Sequence, residues 1–209
     1  MEYGKAFTFI TEDKDWVSKA LMGVVFTVLI PVFGIGLILL AGWAIAIARG
    51  VIRGQAEPLP DWSEFGQMFV DGLKGFIVVI VWYIPLWVLS LLSALIGNDA
   101  FSILVGLCSF VYGIAVGLLF LGVFGLIADD RPFGEVINPA NSWEVVSANL
   151  GDSIITWILI LIGVSVSAMI GIILCVIGIL LGIPYGYALS GHLYGQLYRQ
   201  ARGGKAAAV

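Results

Sequence analysis

Arg53-Gly54-Gln55-Ala56-Glu57-Pro58-Leu59-Pro60-Asp61-Trp62 is the stretch on which the reading of this chain turns. It is a long polar interruption in the first half of a very apolar sequence. It closes one hydrophobic run, passes through two prolines that hold the residue before each in extended backbone, and opens the next run. Asp61 fits a helix N-cap with Glu64 three residues on, a variant of the capping box. Trp62, Phe65, Phe69 and Leu73 then share one helical face, while Ser63, Glu64, Gln67 and Asp71 fall elsewhere. That pattern predicts an amphipathic helix lying in a membrane interface, with Trp62 toward apolar surroundings. Asp15-Trp16 and Ser142-Trp143 play the same starting role, and Asn141 with Glu144 repeats the cap pattern. The chain therefore reads as three tandem units, about 11–54, 61–128 and 141–201, each a short amphipathic lead-in followed by a membrane hairpin.

Composition supports a lipid solvent. Of 209 residues, 60% are hydrophobic and 11% charged, with a mean hydropathy of +1.05. A soluble domain carries about a quarter of its residues as charges. The net charge of −4 and the lack of a basic run argue against nucleic acid as a partner. Cys108 and Cys175 sit inside apolar runs with no metal or redox spacing, so each reads as a small buried hydrophobe. The charged residues before Ala20 do not fit a signal peptide, and the first apolar run is expected to stay as an anchor.

A span needs roughly 20 apolar residues. Residues 20–48 hold 29 without a charge, broken by Pro31, Gly34 and Gly36. This predicts helices over about 17–32 and 35–53, the first thin for a full crossing and tilted or re-entrant. The third run is 75–97, ended by Gly97-Asn98-Asp99, and the fourth is 100–128, ended by Asp129-Asp130-Arg131-Pro132. The last apolar stretch, 153–191, has 39 residues and must cross twice, with its turn placed near 171–177. Residues 202–209 read as a flexible tail.

Six crossings place all ten Lys and Arg residues on the side of the termini, and none at the tips near 33, 98 and 174. By the positive-inside rule this predicts both termini on the cytoplasmic side. The fold class is thus an all-α integral membrane protein of six transmembrane helices.

Gly34-Ile35…Gly42-Trp43-Ala44 matches Gly178-Ile179…Gly186-Tyr187-Ala188 at constant offset, which pairs the second helix with the sixth. Small residues recur in the even-numbered helices: Gly42, Ala46 and Gly50; Gly113, Gly117 and Gly125; Gly178, Gly182 and Gly186. Such spacing lets backbones approach where lipid supplies no hydrophobic drive. These three helices are expected to pack centrally.

Gly42-Trp43, Arg49, Gly54, Leu59-Pro60-Asp61-Trp62, Phe69 and Gly72 together resemble a broad prokaryotic family of small polytopic membrane proteins. That family is a domain of unknown function, numbered four thousand and thirteen. The likeness is most specific over residues 40–75. It implies an inner-membrane protein of six helices or similar, and it brings no reaction or ligand.

The chemistry is sparse. The apolar runs hold hydroxyls such as Thr27, Ser93, Ser167 and Ser190, which in helices bond their own backbone, and no ionisable chain of the kind pumps use. One histidine, His192, cannot build a histidine metal cluster, and Asp129, Asp130 and Glu135 read as a solvated loop. No catalytic site, metal or cofactor is expected. Two functions remain: a structural or accessory protein that binds other membrane components, or a passive channel or carrier for a small or hydrophobic substrate. One candidate site stands out. His192, Gln196 and Arg199 share a face of the last helix, and Arg49 with Arg53 end the matched one. If those helices are neighbours, the five converge on a pocket for an anionic lipid or an acidic partner, with Arg49 facing His192. Ordinary snorkelling of basic residues to the headgroups is the competing reading.

Overall fold

The computed structural model describes residues 1–173 and 175–206, with side chains at all of these except 62, 168, 170–177 and 204–206. The described chain is helical throughout, without strands. The helices are α1 (Lys5–Glu12), α2 (Trp16–Val28), α3 (Ile35–Ile52), α4 (Phe65–Ile96), α5 (Asp99–Ala128), α6 (Phe133–Val136), α7 (Pro139–Ala148), α8 (Leu150–Ile173) and α9 (Cys175–Ala206). Among the described residues four stretches are long and apolar enough to cross a membrane: Ile35–Ile52, Phe65–Ile96, Asp99–Ala128 and Leu150–Ser167. The chain is a membrane-embedded type of helical protein.

Local chemistry explains the breaks. Pro31 denies a donor to the helix that ends at Val28, and Gly34 then turns the chain with φ 72 before α3. At the other strong turn Gly97 adopts φ 64, and Asn98 caps α5 by accepting from the Phe101 amide. The turn expected near 174 lies at a position outside the described residues. α2 spans 13 residues, shorter than the 17–32 expected.

Several expectations need correction. The 61–73 stretch is not a separate interfacial helix: after a single 3-10 turn at Trp62–Glu64, one helix runs from Phe65 to Ile96. Nothing between Phe65 and Ile96 breaks it, and Pro85 is accommodated within it. Its two sides are arranged for lipid. Phe65, Phe69 and Leu73 are exposed, whereas Asp71 is 0% exposed among polar partners. Asp61 does not cap; its carboxylate lies 3.6 Å from Lys19, and α4 has no side-chain cap. The side chain of Trp62, expected at the interface, lies outside the described residues. The cap before Trp143 is Asn138, which accepts from the Ala140 amide, while Asn141 sits within α7 and donates to the Glu135 carbonyl. The first 19 residues contain α1, whose Ala6, Phe9 and Ile10 are buried. The expected tail is helical as far as Ala206.

α3, α5 and α9 touch one another, as the small-residue pattern implied. The glycines do this by different contacts than their spacing suggested. Gly42 lies against the Met68 backbone of α4, and Gly72 of α4 lies against the Ile38 carbonyl of α3. Gly191 and Gly195 receive Ala44 and Ala48 of α3. The Gly182–Gly186 stripe instead packs on Ser167 and Val164 of α8, which runs antiparallel to α9. Ser167 and Ser190 donate to the carbonyls four residues back at 2.7 Å, so these hydroxyls are consumed locally.

Candidate functional site

The polar residues gather at one end of the bundle. There the last turn of α3, the first turns of α4, the end of α5 and the distal part of α9 meet. A charged side chain in an apolar helix must find a counter-charge or reach water. Arg49 finds two. Its Nη2 donates to Asp71 Oδ2 at 2.7 Å and to Asp130 Oδ1 at 3.0 Å, with the Ile127 carbonyl at 3.5 Å. Asp71 also accepts from Gln67 Nε2 at 2.9 Å and Lys74 Nζ at 3.0 Å. Arg53 lies 3.2 Å from Asp130 Oδ2. Asp130 holds φ 57 in the turn after α5, a conformation Asp tolerates better than most residues. Arg49 Nε is buried without a partner, a local cost within an otherwise paired network.

The neighbouring Asp129 turns the other way. It accepts from Tyr198 Oη at 3.0 Å and pairs with Arg202, both of α9. Asp129 and Asp130 therefore tie the end of α5 to α9 and to α3. Asp129, 18% exposed, is drawn into the packing, whereas Asp130, 54% exposed, keeps the solvent contact expected of this loop while pairing with Arg49 and Arg53. Glu135, the third of that group, pairs with Arg131 at 3.0 Å.

A third set clamps the N-terminal segment onto α9 and α8. Gln196 Oε1 accepts from the Glu2 amide at 2.8 Å and Gln196 Nε2 donates to the Glu2 carbonyl at 3.0 Å. Tyr3 Oη donates to Asp152 at 2.8 Å, and Gln200 donates to the same carboxylate at 2.6 Å. Burial, with the Asp152 carboxylate beside it, pushes the Tyr3 phenol up to about 12. His192 stacks on Phe9 with centroids 4.5 Å apart.

The five residues expected to share a pocket are thus divided. α3 and α9 are neighbours, but Arg49 does not face His192: it points to Asp71 and Asp130, and His192 points to Phe9 and Gln196. Arg49 and Arg53 line a cavity of about 290 Å³ with Lys19, Glu57, Asp61 and Glu64. His192, Gln196 and Arg199 line another of about 160 Å³ with Lys5 and Glu2. Gln55 and Pro58, from the loop between α3 and α4, line both. Leu59 is buried, and Pro60 lines the first cavity with Asp61. Sequence reasoning missed Asp71, Asp130 and Lys5. The signal for Asp71 was Arg49 itself, since an arginine ending a long charge-free helix calls for a buried carboxylate.

No three His, Cys, Asp or Glu side chains among the described residues group as a metal site. A larger cavity of about 490 Å³ lies deeper, walled by Phe120, Phe124, Ile160, Val164, Tyr187 and Tyr194.

The fold and its polar end define a helical membrane protein with a network of paired charges at one end of the bundle. The chain belongs to the family described as "Protein of unknown function (DUF4013)", whose profile matches residues 23–176. No curated protein and no solved structure gives a significant match.

Proposed function

We propose that this protein crosses a prokaryotic cytoplasmic membrane six times, in three hairpins with both termini in the cytoplasm, and serves as a structural or accessory component that binds other membrane constituents without catalysing a reaction. The observation that carries this reading is the arm made by the distal parts of α4 and α5. From Ile84 to Val111 only Ser93 and Val105 are buried. Ser93 meets Ser102 at 3.0 Å between the two helices. A Cβ placed at Gly106 or Gly113 would meet nothing within 4 Å. An arm with so little of its apolar surface covered by its own chain offers that surface to lipid and to other helices, and open glycines let a second backbone come close.

A pull-down from native membranes in mild detergent tests it. Wild type is expected to bring down one or more membrane proteins in constant ratio, and Gly106→Leu with Gly113→Leu to lose them. Recovery of the same set by that variant would remove the arm from the account. The second reading, a passive carrier for a hydrophobic substrate, is favoured by the 490 Å³ cavity, which no charged residue lines. Flux of a hydrophobic solute into liposomes holding the purified protein would move the assignment to that reading.

A further inference from the structure

Nine of the ten Lys and Arg side chains are described. Lys19, Arg49, Arg53, Lys74, Arg131 and Arg202 each have a carboxylate oxygen within 4.0 Å. Among the described residues Lys5, Lys14 and Arg199 have none. Two of those three, Lys5 and Arg199, line the same 160 Å³ cavity. A cation already matched by its own carboxylate attracts a further anion weakly. An unmatched one beside a concave wall attracts it strongly, because the low-dielectric wall focuses its field. This separates the two cavities that share Gln55 and Pro58. On one side Arg49 and Arg53 are matched by Asp71 and Asp130, with Glu57 and Glu64 adding negative charge. On the other, two cations without an ion-pair partner line the wall with the one carboxylate of Glu2, while the Glu12 carboxylate acts on His192 from outside the lining.

The wall of the second cavity is built. His192 is 4% exposed and held by its stack on Phe9. Gln196 Nε2 lies 3.1 Å from His192 Nδ1. The reciprocal bonds between Gln196 and the Glu2 backbone set which way the amide points, so Nε2 is the donor and His192 Nδ1 accepts. The neutral ring then carries its proton on Nε2. Arg199 Nη1 makes one long bond, 3.4 Å to the Val51 carbonyl, and keeps its other donors. A water occupies about 30 Å³ of liquid, so the space admits a phosphate group with its first substituent.

We propose that this cavity binds a phosphate anion, with Arg199 and Lys5 supplying the charge and His192 a neutral N–H donor. The phosphate comes from an anionic lipid headgroup or from a soluble phosphate, since the recognising chemistry is the same. The site deepens the reading of a protein that binds membrane constituents. It makes no use of the α4–α5 arm, so either assignment can fail alone.

The test uses the purified full chain and two probes: phosphatidylcholine vesicles with and without phosphatidic acid, and inorganic phosphate. Lys5→Ala with Arg199→Ala should weaken binding roughly tenfold or more, as loss of hydrogen bonds to a charged group does. Lys14→Ala, which removes an unmatched cation outside the cavity, should leave binding as in wild type. Glu2→Gln should tighten it, a gain that damage to the fold would not produce. Binding to phosphatidic acid vesicles that inorganic phosphate does not displace assigns the lipid source; displacement and direct binding of inorganic phosphate assign the soluble one. No binding of either probe, equal binding by the double variant, or an equal loss in Lys14→Ala would overturn the proposal.

Discussion

Arg49 Nη2 donates to Asp71 Oδ2 across 2.7 Å, joining α3 to α4, with the two side chains 8% and 0% exposed. Removing one member of such a pair strands the other charge away from water. Asp71→Ala should therefore cost about 3–5 kcal/mol, and Asp130→Ala, whose carboxylate is 54% exposed, under about 1 kcal/mol. Replacing both members, as Arg49→Met with Asp71→Leu, should recover much of the loss, because no buried charge is left unpaired and Lys74, 32% exposed, can turn to water. Reversible unfolding in mixed micelles reads all three. An Asp71→Ala variant no less stable than Asp130→Ala would show that Arg49 relies on water and not on Asp71.

The α3–α4 crossing rests on two glycines that face each other's backbone. A Cβ on Gly72 would lie 2.9 Å from the Gly42 nitrogen, and one on Gly42 would run into the Met68 carbonyl. Backbone cannot swing aside as a side chain does. Gly42→Ala and Gly72→Ala should each cost about 1–3 kcal/mol. Gly106→Ala, in open space, should be neutral or slightly stabilising through helix propensity. On α9, Gly182→Leu would lie against the Ser167 carbonyl, 2.5 Å from its Cβ, and should lower the melting temperature. Equal melting temperatures for Gly72→Ala and Gly106→Ala would refute the crossing.

Topology is open to labelling. In a background with Cys108 and Cys175 replaced by Ala, a cysteine at Asn98 should react with an impermeant maleimide added outside intact cells. Cysteines at Gln55 and Asn138 should react only after permeabilisation. Gln55 sits in the loop after α3 and Asn138 before α7, both at the end of the bundle that carries the paired charges. Labelling of Gln55 or Asn138 in intact cells would reverse or abolish the proposed orientation.

The N-terminal clamp should survive well into alkali. Tyr3 has its folded value raised from 10.0 to about 12, so its bond to Asp152 is fully present below about pH 10 and is lost as pH rises through about 12. Absorbance titration of wild type minus Tyr3→Phe should show the corresponding phenolate forming near pH 12. A difference spectrum centred at pH 10 would place Tyr3 in free solvent.

What could be read in one dimension was local. Hydropathy marked a membrane protein because a chain with 11% charge cannot cover itself in water. Gly34 and Gly97 marked the turns that precede α3 and α5 because the left-handed region favours glycine. The resemblance drawn from Arg49 and the Leu59-Pro60-Asp61-Trp62 loop pointed to the family whose profile matches residues 23–176. Partnership was decided only in three dimensions. Asp71 looked like a solvated residue on the polar side of an amphipathic helix, and it is buried because Arg49, 22 positions away, arrives on α3 to neutralise it. The same event spends the charge of Arg49 and Arg53, and it leaves Arg199 with Lys5, a residue whose nearness depends on α1 folding back on α9. A sequence states how many charges a chain carries. Which of them are matched depends on distances of a few ångströms between helices far apart in the chain, and that geometry exists only once the helices have packed.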